Sequence, residues 1–340
     1  MKKSAKKSQH GKPTSGPVNE STVKQLIQKG AMLQLDGDLQ AAKEAYGQAI
    51  EQDPHNATAT NNLGFCFAQE GNLPKAMALY EQALDMDPHK SMTYVNMGCL
   101  HAAMGEMDTA IRCCLKAVEM DTQNALAWEN LGNLYLAVGR MSDAEAAWRS
   151  AIRISPLDAW LHTALGTALA AKNRLNDAVA CFQKAIALDQ DNVKAWTQLG
   201  VVLLMRRDLG SAAVAMKKAL ALAPEDTTAR YHLAMILMAS GDISGAVQEL
   251  ERILILDPQH ANAQTDLGIL ALSREQYDGA LQRFKQVLAK EPNNEKAKFY
   301  YCVTSDLLGC RNESKQGWRE LAEYGQSKYA QWARDGAAQR

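Results

Sequence analysis

Asparagine recurs at intervals of 34 residues, as Asn62, Asn96 and Asn130, with Asn61 and Asn133 beside the row. A carboxamide carries two N–H donors and one acceptor oxygen, so such a row can pair with the backbone of an extended peptide whatever its side chains. At the same interval run Met92, Leu126 and Trp160. The first two stand four residues before an asparagine of the row, which puts them on the same face of a helix. Apolar side chains next to amides would serve as anchors for a partner's side chains. Trp160 has a second reading, in which it packs against its own neighbouring helix. The amide row then gives way to Ala164, Gln198, His232, Asp266 and Tyr300 at the equivalent positions. Further on, Val201, Leu204, Met205, Met235, Met238 and Ile269 form a methionine-rich set, suited to a surface that adapts to several partners or to one covered by a second copy of the chain.

Bond-making chemistry has less support. His55 and His89 are 34 residues apart, but two histidines without a third ligand make a poor metal site. Cys113 and Cys114 are adjacent, point about 100° apart on a helix, and read as packing. The glycines recur singly, so no phosphate cradle is formed, and no nucleophile elbow, zinc-protease or kinase signature occurs. Glu145 and Asp278 are expected on solvated faces. The seven cysteines are scattered through helical stretches, a usage that suits a reducing compartment and hence the cytoplasm. No catalytic residue, metal or cofactor is expected.

The elements that must position these residues follow from the 34-residue register itself. The eighth position of each period reads Gly30, Gly64, Gly98, Gly132, Gly166, Gly200, Ala234, Gly268 and Cys302, and the twentieth is alanine from Ala42 to Ala280, then Ser314. The twenty-fourth is large in most periods, for example Tyr46, Tyr80, Trp148, Phe182, Phe284 and Trp318. Within one period, Trp128, Leu131, Gly132 and Tyr135 share a helix face, Gly139 supplies a turn, Ala144, Trp148 and Ala151 share a second face, and Pro156 ends it. Each period is therefore two antiparallel helices. Asn56, Asn124, Asp158, Asn192, Asp226 and Asn294 are placed to cap first helices, and Ser21–Thr22 to cap the first of all. Turn glycines stand at 37, 71, 105, 139, 241 and 309; Asn173, Arg207 and Glu275 replace them elsewhere, so strain is expected at the latter two.

This pattern resembles the tetratricopeptide repeat family, whose period is 34 residues and whose signature is W-x2-L-G-x2-Y…A-x3-F…P. The resemblance implies an all-α solenoid, a right-handed superhelix of nine helix-turn-helix repeats at about 23–56, 57–90, 91–124, 125–158, 159–192, 193–226, 227–260, 261–294 and 295–328. A capping helix follows, with Tyr329 and Trp332 on its inner side, and the chain is expected to divide as a tail (1–20), a solenoid (21–328) and a C-terminal end (329–340). It also implies a concave groove lined by the first helices, at positions that include the amide row. The lysine and arginine pairs with which some members grip a C-terminal carboxylate are absent; the amides are more like those of the long superhelical members.

Composition sets the remaining bounds. Residues 1–20 carry five lysines and one glutamate with few bulky apolar side chains, and are expected to be disordered. A formal net charge of −1 argues against a nucleic-acid binder, and no apolar run is long enough for a membrane span. The expected function is a non-enzymatic scaffold or adaptor that holds a protein or peptide through Asn61, Asn62, Met92, Asn96, Leu126, Asn130, Asn133 and Trp160. Two other classes stay open: a self-assembling scaffold, making homo-oligomers, and an accessory subunit of a separately encoded enzyme such as a glycosyltransferase.

Overall fold

The computed structural model describes residues 20–338, so the basic tail expected over 1–20 lies almost wholly outside the described residues. Within them every regular element is an α-helix and none is a strand. The chain divides into two compact units, Met1–Leu157 and Asp158–Arg340.

In the first unit, four helical hairpins follow one another: α1 (Glu20–Leu35) with α2 (Leu39–Gln52), α3 (Ala57–Gln69) with α4 (Leu73–Met86), α5 (Ser91–Ala103) with α6 (Met107–Met120), and α7 (Ala125–Ala137) with α8 (Met141–Ile154). The second unit holds five: α9 (Ala159–Ala171) with α10 (Leu175–Leu188), α11 (Val193–Met205) with α12 (Leu209–Leu222), α13 (Thr227–Ser240) with α14 (Ile243–Leu256), α15 (Ala261–Ser273) with α16 (Tyr277–Lys290), and α17 (Glu295–Leu307) with α18 (Arg311–Tyr324). A last helix, α19 (Lys328–Ala338), packs on α17 and α18.

Small residues set how closely a hairpin closes. A Cβ added to Gly30 would lie 2.6 Å from the Tyr46 ring, which fills the seam between α1 and α2. The ninth repeat reaches the same closeness differently. Cys302 occupies the eighth position, and Gly317 on α18 faces it, where an added Cβ would come 2.5 Å from the Cys302 sulfur. That hairpin exchanges its small residue across the seam.

Turn chemistry follows the sequence closely. Gly37, Gly71, Gly105, Gly139, Gly241 and Gly309 take positive φ, and Asn173, Arg207 and Glu275 are held at φ 59°, 61° and 60°. Asn56, Asn124, Asp158, Asn192, Asp226 and Asn294 accept backbone N–H bonds at first-helix starts. Where the eighth repeat has no Asn or Asp, His260 caps through Nδ1, 3.2 Å from the Ala263 N–H. Three expectations fail. Glu20, the first described residue, is already helical, so Ser21 and Thr22 lie inside α1 and do not cap it. Glu145, expected on a solvated face, is buried and paired with Arg149 one turn on along α8. Cys310 is not helical; it is the exposed residue before α18.

Candidate functional site

The first helices α1, α3, α5 and α7 touch one another in turn, so together they present one face of the first unit. The amide row lies on these helices, but as a bonded chain. Asn96 Nδ2 donates to Asn61 Oδ1 at 3.0 Å, and Asn61 Nδ2 donates to Asn62 Oδ1 at 3.0 Å. Asn62 in turn hydrogen-bonds the Tyr46 side chain, whose hydroxyl donates to Gln34 Oε1 at 3.2 Å. Asn61 and Asn96 are only 2% and 8% exposed. The expectation that Asn96 offers a free amide to a peptide is therefore corrected: it ties α5 to α3 through a buried polar link. Asn61 is the link's hinge, and nothing in its spacing told it apart from Asn62. Asn130 is half-exposed, but its Nδ2 bonds back to the Leu126 carbonyl at 2.8 Å and its Oδ1 accepts from Cys99 Sγ at 3.4 Å. Asn133 is half-exposed, and its side chain has no hydrogen-bond partner among the described residues.

The apolar members of the set behave differently. Met92 and Leu126, on the first turns of α5 and α7, are 40% and 41% exposed, although both helices bury their opposite sides fully. Phe65 and Cys99, one position-nine residue from each of α3 and α5, are half-exposed and exposed on the same run of first helices. Trp160 belongs to the second unit. It stands on the first turn of α9 and is 40% exposed, whereas Trp148 is the tryptophan that fills a hairpin core.

In the second unit the equivalent helices carry a second polar link. The Tyr231 hydroxyl donates to Asp266 Oδ2 at 2.7 Å, and Lys296 Nζ meets the other carboxylate oxygen at 2.5 Å. Asp266 is buried; burial and the Asp266 bond push the Tyr231 hydroxyl well above its usual value. Met205 and Met235 are exposed nearby in sequence, while Met238 and Ile269 are half-buried. Around α17 and α19, Phe299 makes ring contacts with Tyr300, Trp318, Tyr329 and Trp332. This packing holds α19 in place, and Tyr329 faces inward as expected.

The buried thiols Cys66, Cys114 and Cys302 are not activated. Burial pushes Cys66 up to about 11 and Cys114 and Cys302 up to about 12. A thiol held protonated is a weak nucleophile. His55 and His89 are both exposed, with backbone N–H groups tied to Asp53 and Asp87. Among the described residues no three His, Cys, Asp or Glu side chains come together in a way that could hold a metal ion. Nor is any described helix long and apolar enough to cross a membrane.

The sequence matches the family model described as the cilia and flagella-associated protein 70 C-terminal domain, a tetratricopeptide repeat model, over residues 2–231. The chain belongs to that tetratricopeptide repeat family. The model for the tetratricopeptide repeat domain of cytochrome c-type biogenesis protein H matches residues 181–298. No curated protein matches the sequence. Among solved structures, this repeat chain is similar to one of the APC/C hetero-tetramer Cut9–Hcn1, at 20% identity and TM-score 0.56, covering 84% of this chain and 57% of that one. It is also similar to the C-terminal part of a repeat-containing protein from Cytophaga hutchinsonii, at 19% identity and TM-score 0.56, covering 70% and 97%. PilW, a widely conserved type IV pilus biogenesis factor, aligns at 22% identity and TM-score 0.55, covering 61% and 96%. At these identities the likeness is one of fold.

Proposed function

We propose that this tetratricopeptide repeat chain is a non-enzymatic scaffold that holds a peptide or partner protein on the first-helix face of its first unit. The observation that carries the reading is the pair Met92 and Leu126, exposed on successive first helices beside the half-exposed Asn62 and Asn133. Large apolar side chains left this exposed at the same position of adjacent repeats form a patch, and such patches mark interaction sites. Asn130 shapes this face by fixing the Leu126 turn, and Asn61 and Asn96 stiffen it from beneath. Trp160 offers a further exposed anchor in the second unit. The fold serves assemblies in the compared proteins, with Cut9 in a hetero-tetramer with Hcn1. All seven cysteines are free thiols, which favours a reducing compartment such as the cytoplasm.

A photo-crosslinking residue placed at 92 or 126 tests this directly in the native cell. Crosslinks to a partner are expected from both positions and not from Leu115, which is equally exposed on α6 but on the second helix of its hairpin. Equal capture from position 115 would refute the assignment of the face. Capture of the chain by itself would turn the reading toward self-assembly.

A further inference from the structure

Carboxylates of the first unit follow the repeat register, and Glu51, Asp85, Glu119 and Asp121 are exposed. Glu51 and Asp53 end the first hairpin, Asp85 and Asp87 the second, and Glu119 and Asp121 the third. The pattern stops there, since the fourth hairpin has Arg153 and Ser155 at these positions. Second helices end where first helices begin, so this acidic edge adjoins the first turns of α3, α5 and α7, and Met92 and Leu126 lie five residues after Asp87 and Asp121. Neighbouring helix starts and ends carry opposite partial charges that offset one another, which leaves the side chains to set the sign. Asp53, Asp87 and Asp121 accept the backbone N–H groups of His55, His89 and Gln123, whereas Glu51 and Asp85 lie exposed at their helix ends. Lys116 meets Glu119 at 3.2 Å, and Lys90 is turned to the Thr58 hydroxyl at 2.8 Å. Over residues 20–157 there are 17 acidic and 10 basic residues, with five further lysines between residues 2 and 12, against 21 and 22 over residues 158–340.

We propose that the partner held on the first unit's face is a basic segment with apolar side chains, lysines or arginines meeting the carboxylate edge while apolar groups sit on Met92 and Leu126. This rests on the binding face proposed above and adds the chemistry of its occupant. The apolar pair alone would accept a segment of either charge. The edge beside it makes the choice, because like charge held against it is repelled, and electrostatic complementarity acts chiefly on specificity and association rate.

The test uses the full 340-residue chain and fluorescence anisotropy with two labelled peptides of twelve residues. Both carry leucine at every third position, because an extended polyproline-like segment returns to one face every three residues, about 9.3 Å, close to the roughly 8–10 Å between packed helices. One fills the remaining positions with lysine and proline, the other with glutamate and proline. The lysine peptide is expected to bind about tenfold or more tightly than the glutamate peptide at low salt. Its advantage shrinks as salt shortens the screening length. Replacing Glu51→Gln, Asp85→Asn and Glu119→Gln together should weaken the lysine peptide by about tenfold and leave the glutamate peptide no weaker. Met92→Ser with Leu126→Ser should weaken both. Equal binding of the two peptides, or no effect of the three carboxylate changes, overturns the charge assignment while the binding face stands. Binding of the lysine peptide that ignores Met92→Ser and Leu126→Ser, or no binding of either peptide, overturns both.

Discussion

Asn96→Ala separates a structural amide from a binding one. In the folded chain Asn96 Nδ2 donates to Asn61 Oδ1 at 3.0 Å, and both residues are buried. Alanine at 96 removes the donor and leaves Asn61 Oδ1 without a partner in an enclosed site. An unsatisfied buried polar group costs about 1–3 kcal/mol, so local opening of α3 and α5 should become roughly 5- to 150-fold more populated. Hydrogen exchange of the full chain, read by mass spectrometry on peptides from α3 and α5, measures that opening. Because repeats couple to their neighbours, peptides from α15 and α17 should be unchanged. Asn133→Ala is the control: its amide is half-exposed and has no hydrogen-bond partner among the described residues, so protection should move by less than about 0.5 kcal/mol. If Asn96→Ala exchanges no faster than Asn133→Ala, the buried link contributes nothing and the correction to the amide row is wrong.

Trp148→Ala should cost about 3–5 kcal/mol of stability, while Trp160→Ala, half in water, should cost less than about 1 kcal/mol; denaturant unfolding ranks the two. Arg207→Gly relieves a left-handed residue that costs about 1–2 kcal/mol and adds glycine's entropic cost of about 0.5–1 kcal/mol, so a small gain in unfolding free energy is expected. The Ser327 hydroxyl and the backbone N–H groups of Gln326 and Ser327 hold the Glu295 carboxyl below its usual value. A carboxylate with a depressed folded value stabilises above its unfolded value near 4.3 and loses that contribution as pH falls further. Tryptophan fluorescence of the α17–α19 cluster should therefore report α19 loosening on acidification, and Glu295→Gln should flatten that response.

The fold was legible in the residues because packing repeats: glycine at position eight, alanine at twenty and a large ring at twenty-four recur wherever a hairpin closes. The turns were legible for the same reason, down to the three non-glycine residues with positive φ. The candidate site was legible only in part. Asn61 and Asn62 differ by one position, about 100° around a helix, and that rotation decides which faces α5 and which lies nearer the surface. Helix spacing cannot say whether an amide at the boundary turns toward its neighbour or toward water. The same ambiguity hid Glu145, whose carboxylate reads as solvated until Arg149 is seen covering it. His260 as a cap had one available signal, its position at the junction where other repeats carry Asn or Asp.

The repeat register sorts residues into those that recur throughout and those that recur over a stretch and stop. The first kind answers a demand that every hairpin meets, since each packs against a similar neighbour. The second kind has no such cause, and the first unit holds three examples: the amides, the Met92 and Leu126 pair, and the carboxylates Glu51, Asp85 and Glu119. A local run is still not evidence of binding, as the buried Asn96–Asn61 bond demonstrates. Exposure makes the distinction. A buried amide chain satisfies its own donors and adds stiffness, so its occurrence is accounted for within the fold. Partly exposed apolar side chains and the exposed carboxylates Glu51, Asp85 and Glu119 are not accounted for within the fold in that way, and repulsion among like charges works against folding. The carboxylates close second helices and the apolar pair opens the first helices that follow, and a basic segment with apolar side chains would meet both at once.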